Sequence, residues 1–322
     1  MDNEWPPKEI PEPPPHLIQR ALERKLVIFV GAGVSMQKGC PSWEKFADDV
    51  LEQLAQKGAI TYGLKDQIKT LDPKKKLSIA QNIIKRNQNI TIEYDKIILP
   101  KKENESSIYD YLKKIKCRFV TTNYDTYLHD THPKLKTTDF EKKPAKETSI
   151  RVKECISRPE QFDDIDLSNP GPPIHLHGCL TDSDFMVVTT SDYLKHYANE
   201  KDKENKITDF LKMLFDQYTV LFVGYGLEET EILEQIFRSA SAKKDEIPTR
   251  FMLVGFFSHE DQLFAHLKEY YLEDFGVHLI SYDKDKNNYD QLDMVIADWA
   301  NKIESPSTSA VAAFLDNVAE NE

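Results

Sequence analysis

Leu26-Val27-Ile28-Phe29-Val30-Gly31-Ala32-Gly33-Val34-Ser35 is the stretch on which the fold turns. Five consecutive apolar residues mark a strand buried on both faces, which occurs in a parallel sheet covered by helices. Gly31 to Ser35 then turn the chain. From Ser42, a plausible N-cap, the apolar positions Trp43, Phe46, Ala47, Val50, Leu51 and Leu54 recur at spacings of 3 and 4, which predicts an amphipathic helix. Strand, Gly-x-Gly, helix is a phosphate-binding arrangement, because glycine lets the backbone approach an anion closely. A dehydrogenase fingerprint needs a third glycine where this chain has Met36, and no Gly-Lys-Ser/Thr follows for a P-loop. A tight strand–helix turn with no ligand remains open at this point.

The same alternation runs through the chain. Further strands are predicted at Arg118–Thr122, Ile174–His177, Phe185–Thr189, Thr219–Val223, Phe251–Phe256 and Val277–Tyr282. Helices are expected over 16–25, 206–218, after Gly226, near 259–274 and near 289–303. This predicts an α/β, Rossmann-like, mostly parallel sheet with helices on both faces. Residues 58–116 form a helical insertion, and 65–102 hold ten Lys/Arg against four acids. That segment is either a solvated face or a docking surface for an acidic partner or nucleic acid. Residues 1–15 carry six prolines and are expected to be an extended arm, disordered or laid on a partner. The main domain spans 16–303. Residues 304–322 are a tail, its end a short helix or loose.

Composition narrows the function classes. The chain has 322 residues and a net charge of −12, so it repels nucleic acid and anionic membrane on average. Its apolar runs fall far short of the roughly 20 residues of a membrane span. The acidic, proline-rich start is unlike a signal peptide, and Cys40, Cys117, Cys155 and Cys179 form no C-x-x-C pair. Free thiols in the cytoplasm and no four-cysteine zinc ribbon are expected. Glycine is scarce, at eleven residues, and six of them sit in three short segments: Gly31, Gly33 and Gly39; Gly178; Gly224 and Gly226.

Those segments coincide with polar residues at strand ends, where open α/β sheets bind ligands. Thr122-Asn123-Tyr124-Asp125 ends one strand; by itself it is as readily an Asx-turn as a site. Leu176-His177-Gly178 ends another, where a histidine is more often structural than catalytic. His175, His177 and Cys179 alternate, yet Gly178 ends the strand and no fourth ligand is indicated, so no metal is expected. Gly224-Tyr225-Gly226-Leu227 ends a third.

Taken together and in this order, the four segments resemble the sirtuin family. Gly39-x-Pro41-x-Trp43 and Thr189-x-x-Asp192-Tyr193 are similar to motifs of its bacterial sirtuin-like branch of antiphage defence proteins. The likeness runs from about Leu26 to Tyr282. The two-C-x-x-C zinc module of protein deacylases is missing, which favours NAD breakdown over lysine deacylation. The resemblance implies NAD as substrate and no metal. Gly31, Ala32, Gly33 and Ser35 would hold the pyrophosphate, with Pro41, Trp43 and Thr122 beside them. Asn123 would orient ribose and water, Asp125 the nicotinamide amide, and His177, of near-neutral pKa, would accept a proton. Gly224, Gly226 and Leu227 would lie along the adenosine ribose, with Tyr282 near the adenine. It also implies a homo-oligomeric effector with a HerA-type ATPase or short Argonaute as partner, meeting nucleic acid only through that partner. A deacylase or ADP-ribosyltransferase, and a non-catalytic NAD or ADP-ribose sensor, are the alternatives.

Overall fold

The computed structural model describes residues 5–87, 89–129, 155–163, 165–198, 205–227, 229–240 and 249–305. The tail beyond 305 and the polar stretch 130–154 lie outside them. The described strands are β1 (Leu26–Val30), β2 (Arg118–Thr121), β3 (Ile174–His175), β4 (Thr219–Val223), β5 (Arg250–Phe256) and β6 (Val277–Asp283). They form one sheet in the order β3-β2-β1-β4-β5-β6, every pair parallel. The helices are α1 (Pro15–Leu22), α2 (Ala32–Gln37), α3 (Trp43–Gln56), α4 (Tyr62–Ile68), α5 (Pro73–Arg86), α6 (Tyr94–Ile98), α7 (Ile108–Lys114), α8 (Thr190–His196), α9 (Lys206–Gln217), α10 (Thr230–Ala240), α11 (Asp261–Phe275) and α12 (Gln291–Glu304).

Both faces of the sheet are covered, and β1 shows why its run has no polar residue. Leu26, Ile28 and Val30 pack with residues of α1, α7 and α12, whereas Val27 and Phe29 pack with α9, α10 and α11. Strand periodicity sends alternate side chains to opposite faces, so a doubly covered strand must be apolar throughout. A third cluster joins α3 to α4, α5 and α6, with Tyr124, Met186 and Val188. Helix α3 starts at the predicted cap: Ser42 Oγ accepts from the Lys45 N–H at 3.2 Å.

Three expectations change. The stretch 185–189 is not a strand. Leu180–Phe185 is a 3₁₀ turn, and the residues after it are irregular but buried at Met186, Val187 and Val188. Their apolar character reflects burial against the α3–α6 cluster, which hydropathy alone does not distinguish from a strand. The strand expected at 174–177 is regular only over Ile174–His175. The proline arm lies on its own domain. Trp5 stacks on Phe264, the Asp283 N–H donates to the Lys8 carbonyl at 2.9 Å, and Trp299 Nε1 donates to the Pro11 carbonyl at 2.7 Å.

Many lysines of the 65–102 segment face acids of the same chain. Lys65 meets Glu52, Lys69 meets Asp48, and the buried Lys76 bridges Glu44 and Asp48. These pairings tie α4 and α5 to α3, which fits the solvated-face reading of the charge run. Among the described residues no helix is long and apolar enough to cross a membrane.

Candidate active site

The strand order reverses between β1 and β4, so the connections leaving these two strands part and open a crevice at their carboxyl ends. Three glycines let the two exits touch. A Cβ on Gly31 would sit 2.4 Å from the Gly224 carbonyl oxygen and 2.5 Å from Tyr225 Cα, and one on Gly33 would sit 2.9 Å from the same oxygen. Gly224 itself has φ +60°. The Gly31 N–H donates to the Val223 carbonyl, Gly33 N–H to Gly224 and Val34 N–H to Gly31. These three amides are therefore spent on the protein itself. The turn offers a ligand close approach, not the row of N–H donors that its Gly-x-Gly pattern suggests.

A cavity of about 410 Å³ opens here, lined by Ala32, Gly33, Ser35, Pro41, Trp43, Thr122, Asn123, Asp125, His177, Gly224 and Gly226 among others. That volume suits a small-molecule ligand. Three of the residues implied by sequence lie outside its lining. Gly31 lies at the β1–β4 contact, Leu227 is buried in the core on the α9–α11 side, and Tyr282 is buried in the opposite core. Tyr282 is thus not placed to touch a ligand there.

Asn123 follows β2 and donates both amide hydrogens, to the Gly31 carbonyl at 2.9 Å and to Ser35 Oγ at 2.8 Å. Its amide oxygen is left as the acceptor it can offer a ligand. Ser35 Oγ donates to Asp125 Oδ2 at 2.5 Å, and Tyr109 donates to Asp125 Oδ1 at 3.2 Å. Burial raises the pKa of Asp125, and the hydrogen bonds from Ser35, Tyr127 and Tyr109 offset part of that rise. Asp125 therefore braces α2 and, through Ser35, the Asn123 amide.

His177 is buried, and this corrects the near-neutral pKa expected of it. Desolvation, with His196 and Lys74 nearby, takes its pKa well below the ordinary value, so the ring is neutral at pH 7. Its Nε2 lies 2.7 Å from the Tyr197 hydroxyl, and its Nδ1 lies 3.4 Å from the Tyr193 hydroxyl. The Thr189-x-x-Asp192-Tyr193 motif positions that tyrosine. Thr189 Oγ1 accepts from the Asp192 N–H and Asp192 Oδ2 from the Thr189 N–H, a capping box that starts α8 and sets Tyr193 against the imidazole.

Two charged lining residues escaped sequence reasoning. Glu229 precedes α10, and its Oε2 lies 3.5 Å from His177 Nε2 with no hydrogen-bond partner. The residue keeps 22% of its surface exposed, but that oxygen is buried, and burial raises the carboxyl pKa to about 7. Its position shortly after the β4 turn was a signal, masked because acids at a helix start are ordinary. Lys74 reaches the cavity from the N-terminus of α5. Its Nζ stands 3.8 Å over the Tyr193 ring and 2.9 Å from Glu231. No local pattern points from residue 74 to a site. Trp43 stacks on Phe46 and leans on Tyr124, giving the cavity an apolar wall.

The arrangement thus pairs a flat apolar wall and a glycine-lined contact with a neutral imidazole, a carboxyl that titrates near neutrality and an anchored amide. Among curated proteins none matches the chain. A family model described as SIR2-like domain matches residues 118–280, a span that takes in Asn123, His177, Gly224 and Glu229 but not the Gly31–Ser35 turn. With half of its length matched, the chain belongs to the SIR2-like domain family, whose members are generally NAD-dependent enzymes.

Proposed function

We propose that the protein hydrolyses NAD⁺ to nicotinamide and ADP-ribose. The observation that carries this reading is the convergence of Asn123, His177 and Glu229 on one cavity at the β1–β4 crevice. Nicotinamide leaves as a neutral pyridine, so its departure needs no acid, and the transition state is oxocarbenium-like. Water adds to the ribose carbon as the N-glycosidic bond breaks, and one proton must be removed. Neutral His177 accepts it, and the ionised Glu229 beside it stabilises the imidazolium. The Asn123 amide oxygen holds the water or a ribose hydroxyl, while the Gly33 and Gly224 backbones and the Lys74 ammonium flank the pyrophosphate. Incubation with NAD⁺, following nicotinamide and ADP-ribose, tests the reading. Product formed only with an acyl-lysine peptide would make it a deacylase, and ADP-ribose attached to protein a transferase. Binding without turnover would make it a sensor.

An enzyme that drains NAD must be held in check. We place it accordingly as a cytoplasmic effector of an antiviral defence system, gated by self-association or by a partner such as a HerA-type ATPase or a short Argonaute. Residues 5–14, packed on their own domain, offer one surface for that contact, and deleting residues 1–15 should then shift the oligomer in light scattering. Activity of the purified chain with and without such a partner tests the assignment.

Glu229 gives a prediction with two opposed signs. Its folded pKa of about 7 lies above the ordinary 4.5, so the folded protein binds this proton more tightly than the unfolded chain. The stabilisation is full below about 4.5 and is lost as pH rises through about 7. Glu229→Gln carries no ionising group, so at pH 8 it should be more stable than the parent by roughly 2–3 kcal/mol. The gain should vanish near pH 4. Nicotinamide release should rise with pH through about 7 in the parent, and should be slow and flat over that range in the variant. Denaturant melts at both pH values, with rate–pH profiles, check both arms.

A further inference from the structure

Three residues from separated segments meet outside the cavity lining: His129 after β2, Cys155 beside Ile156, which pairs with Ile174 of β3, and Cys179 two residues past His177. One ring nitrogen of His129 and the two sulfurs lie within 4.8 Å of one another. Cys155 Sγ is 3.2 Å from Cys179 Sγ, which is 2.9 Å from Thr181 Oγ1. His129 Nε2 lies 3.1 Å from His175 Nε2, and His175 Nδ1 lies 2.8 Å from the Asn123 carbonyl oxygen.

The proton positions along this chain follow from elementary rules. A carbonyl only accepts, so His175 Nδ1 carries the hydrogen. His175 is fully buried, which favours the neutral ring, and with Nδ1 protonated its Nε2 is an acceptor. His129 Nε2 must then donate, and a neutral His129 has its lone pair at Nδ1. This is the tautomer of a metal-binding histidine whose other nitrogen is anchored by a hydrogen bond. We propose that His129, Cys155 and Cys179 form a site for one soft divalent cation, zinc being the ion that two thiolates and an imidazole suit.

Charge supports the choice. Two thiolates and a dication sum to zero, so the buried site carries no net charge once two thiol protons have gone to solvent. A water would complete a tetrahedral set. The metal would tie the chain after β2 to the turn after β3. Through His175 it would also fix the carbonyl of Asn123, so its role is to position and not to react.

The test uses the metal alone and does not depend on NAD chemistry. Full-length protein purified with reductant and without chelator should hold about one zinc per chain by elemental analysis. Metal-free protein titrated with Co²⁺ should develop thiolate-to-cobalt charge-transfer absorption that saturates at about one equivalent. Cys155→Ser and Cys179→Ser should each lose most of that absorption. His175→Gln keeps all three ligands and should weaken cobalt affinity by about 10–100-fold. Chelator should lower the melting temperature of the parent but not of Cys155→Ser. A parent chain that takes up no zinc and shows no charge-transfer band overturns the site. So does a Cys155–Cys179 disulfide as the resting state under reductant, since oxidised sulfurs cannot serve as thiolate ligands.

Discussion

His177→Ala should slow nicotinamide release by about 10²–10⁴-fold, the range lost when a positioned general base is removed. Asn123→Ala should cost about 10²–10³-fold, as is typical when one preorganised polar group leaves a site. The two differ in what else they break. Asn123 supplies hydrogen bonds to Gly31 and Ser35 inside the protein, so its removal should also cost roughly 1–3 kcal/mol of stability. Melting cannot stay unchanged in that variant, and rates must be compared per folded molecule, well below its melting temperature. His177→Gln preserves much of the volume and keeps a partner for the Tyr197 hydroxyl, so it separates lost basicity from a collapsed wall. Turnover close to the parent in either alanine variant, once corrected for folded fraction, removes that residue from the mechanism.

Gly224→Ala should be among the most damaging single-methyl changes in the chain. The new Cβ would stand 2.6 Å from the Val34 nitrogen, on a backbone held at φ +60°. Left-handed backbone costs an alanine about 1–2 kcal/mol, and overpacking a tight contact adds about 1–3 kcal/mol. The cheapest relief is to move the β1 and β4 exits apart, which deforms the cavity. Loss of NAD⁺ binding should therefore accompany the lower melting point, even though position 224 contributes no side chain. Gly58→Ala is the matched control. Gly58 also has positive φ, but nothing lies within 4 Å of its added methyl, so only the backbone cost should appear. Calorimetry and NAD⁺ titration of the two variants, side by side, distinguish strain from lost contact. Equal losses in both would show that crowding at the seam is unimportant.

The parts of this architecture visible in sequence are those whose signal is local. β1 and β4 are buried on both faces, so unbroken apolar runs marked them, and their trailing glycines marked the crevice. Ser42 and Trp43 announced α3 through a cap and a 3–4 spacing. At 185–189 a buried but irregular stretch carries the same apolar pattern as a strand. Met186 and Val188 are apolar because a helical cluster covers them, while a single hydrogen bond, from the Val187 N–H to the His177 carbonyl, links the segment to the β3 turn. Glu229, Lys74 and the His129–Cys155–Cys179 group were hidden for another reason. Each acquires its meaning from residues far away in sequence, and spacing rules such as C-x-x-C detect only ligands on one turn of chain. The depressed basicity of His177 was equally illegible, because it comes from burial supplied by α8 and by the segment before α10.

The β1–β4 seam also orders events in time. Leu26 is a neighbour of Thr219 in the sheet, and Gly33 bonds to Gly224. A chain emerging from the ribosome therefore exposes the first glycine turn, then Asn123, then His177, with no cavity to join them. The adjacent strands β1, β2 and β3 bring these groups to one edge, and the fourth strand, slotting beside the first, adds the Gly224–Gly226 wall that closes the cavity. Closing so long a loop is slow, and the central position of both strands means that no smaller sheet can stand in for the finished one. Nascent or prematurely terminated chains ending before β4 hold Asn123, Asp125 and His177 but lack Glu229 and the Gly224–Gly226 wall of the cavity. For a protein whose proposed reaction would harm the cell that makes it, that topology acts as a delay: the cavity waits for β4, about 190 residues after β1 in the chain.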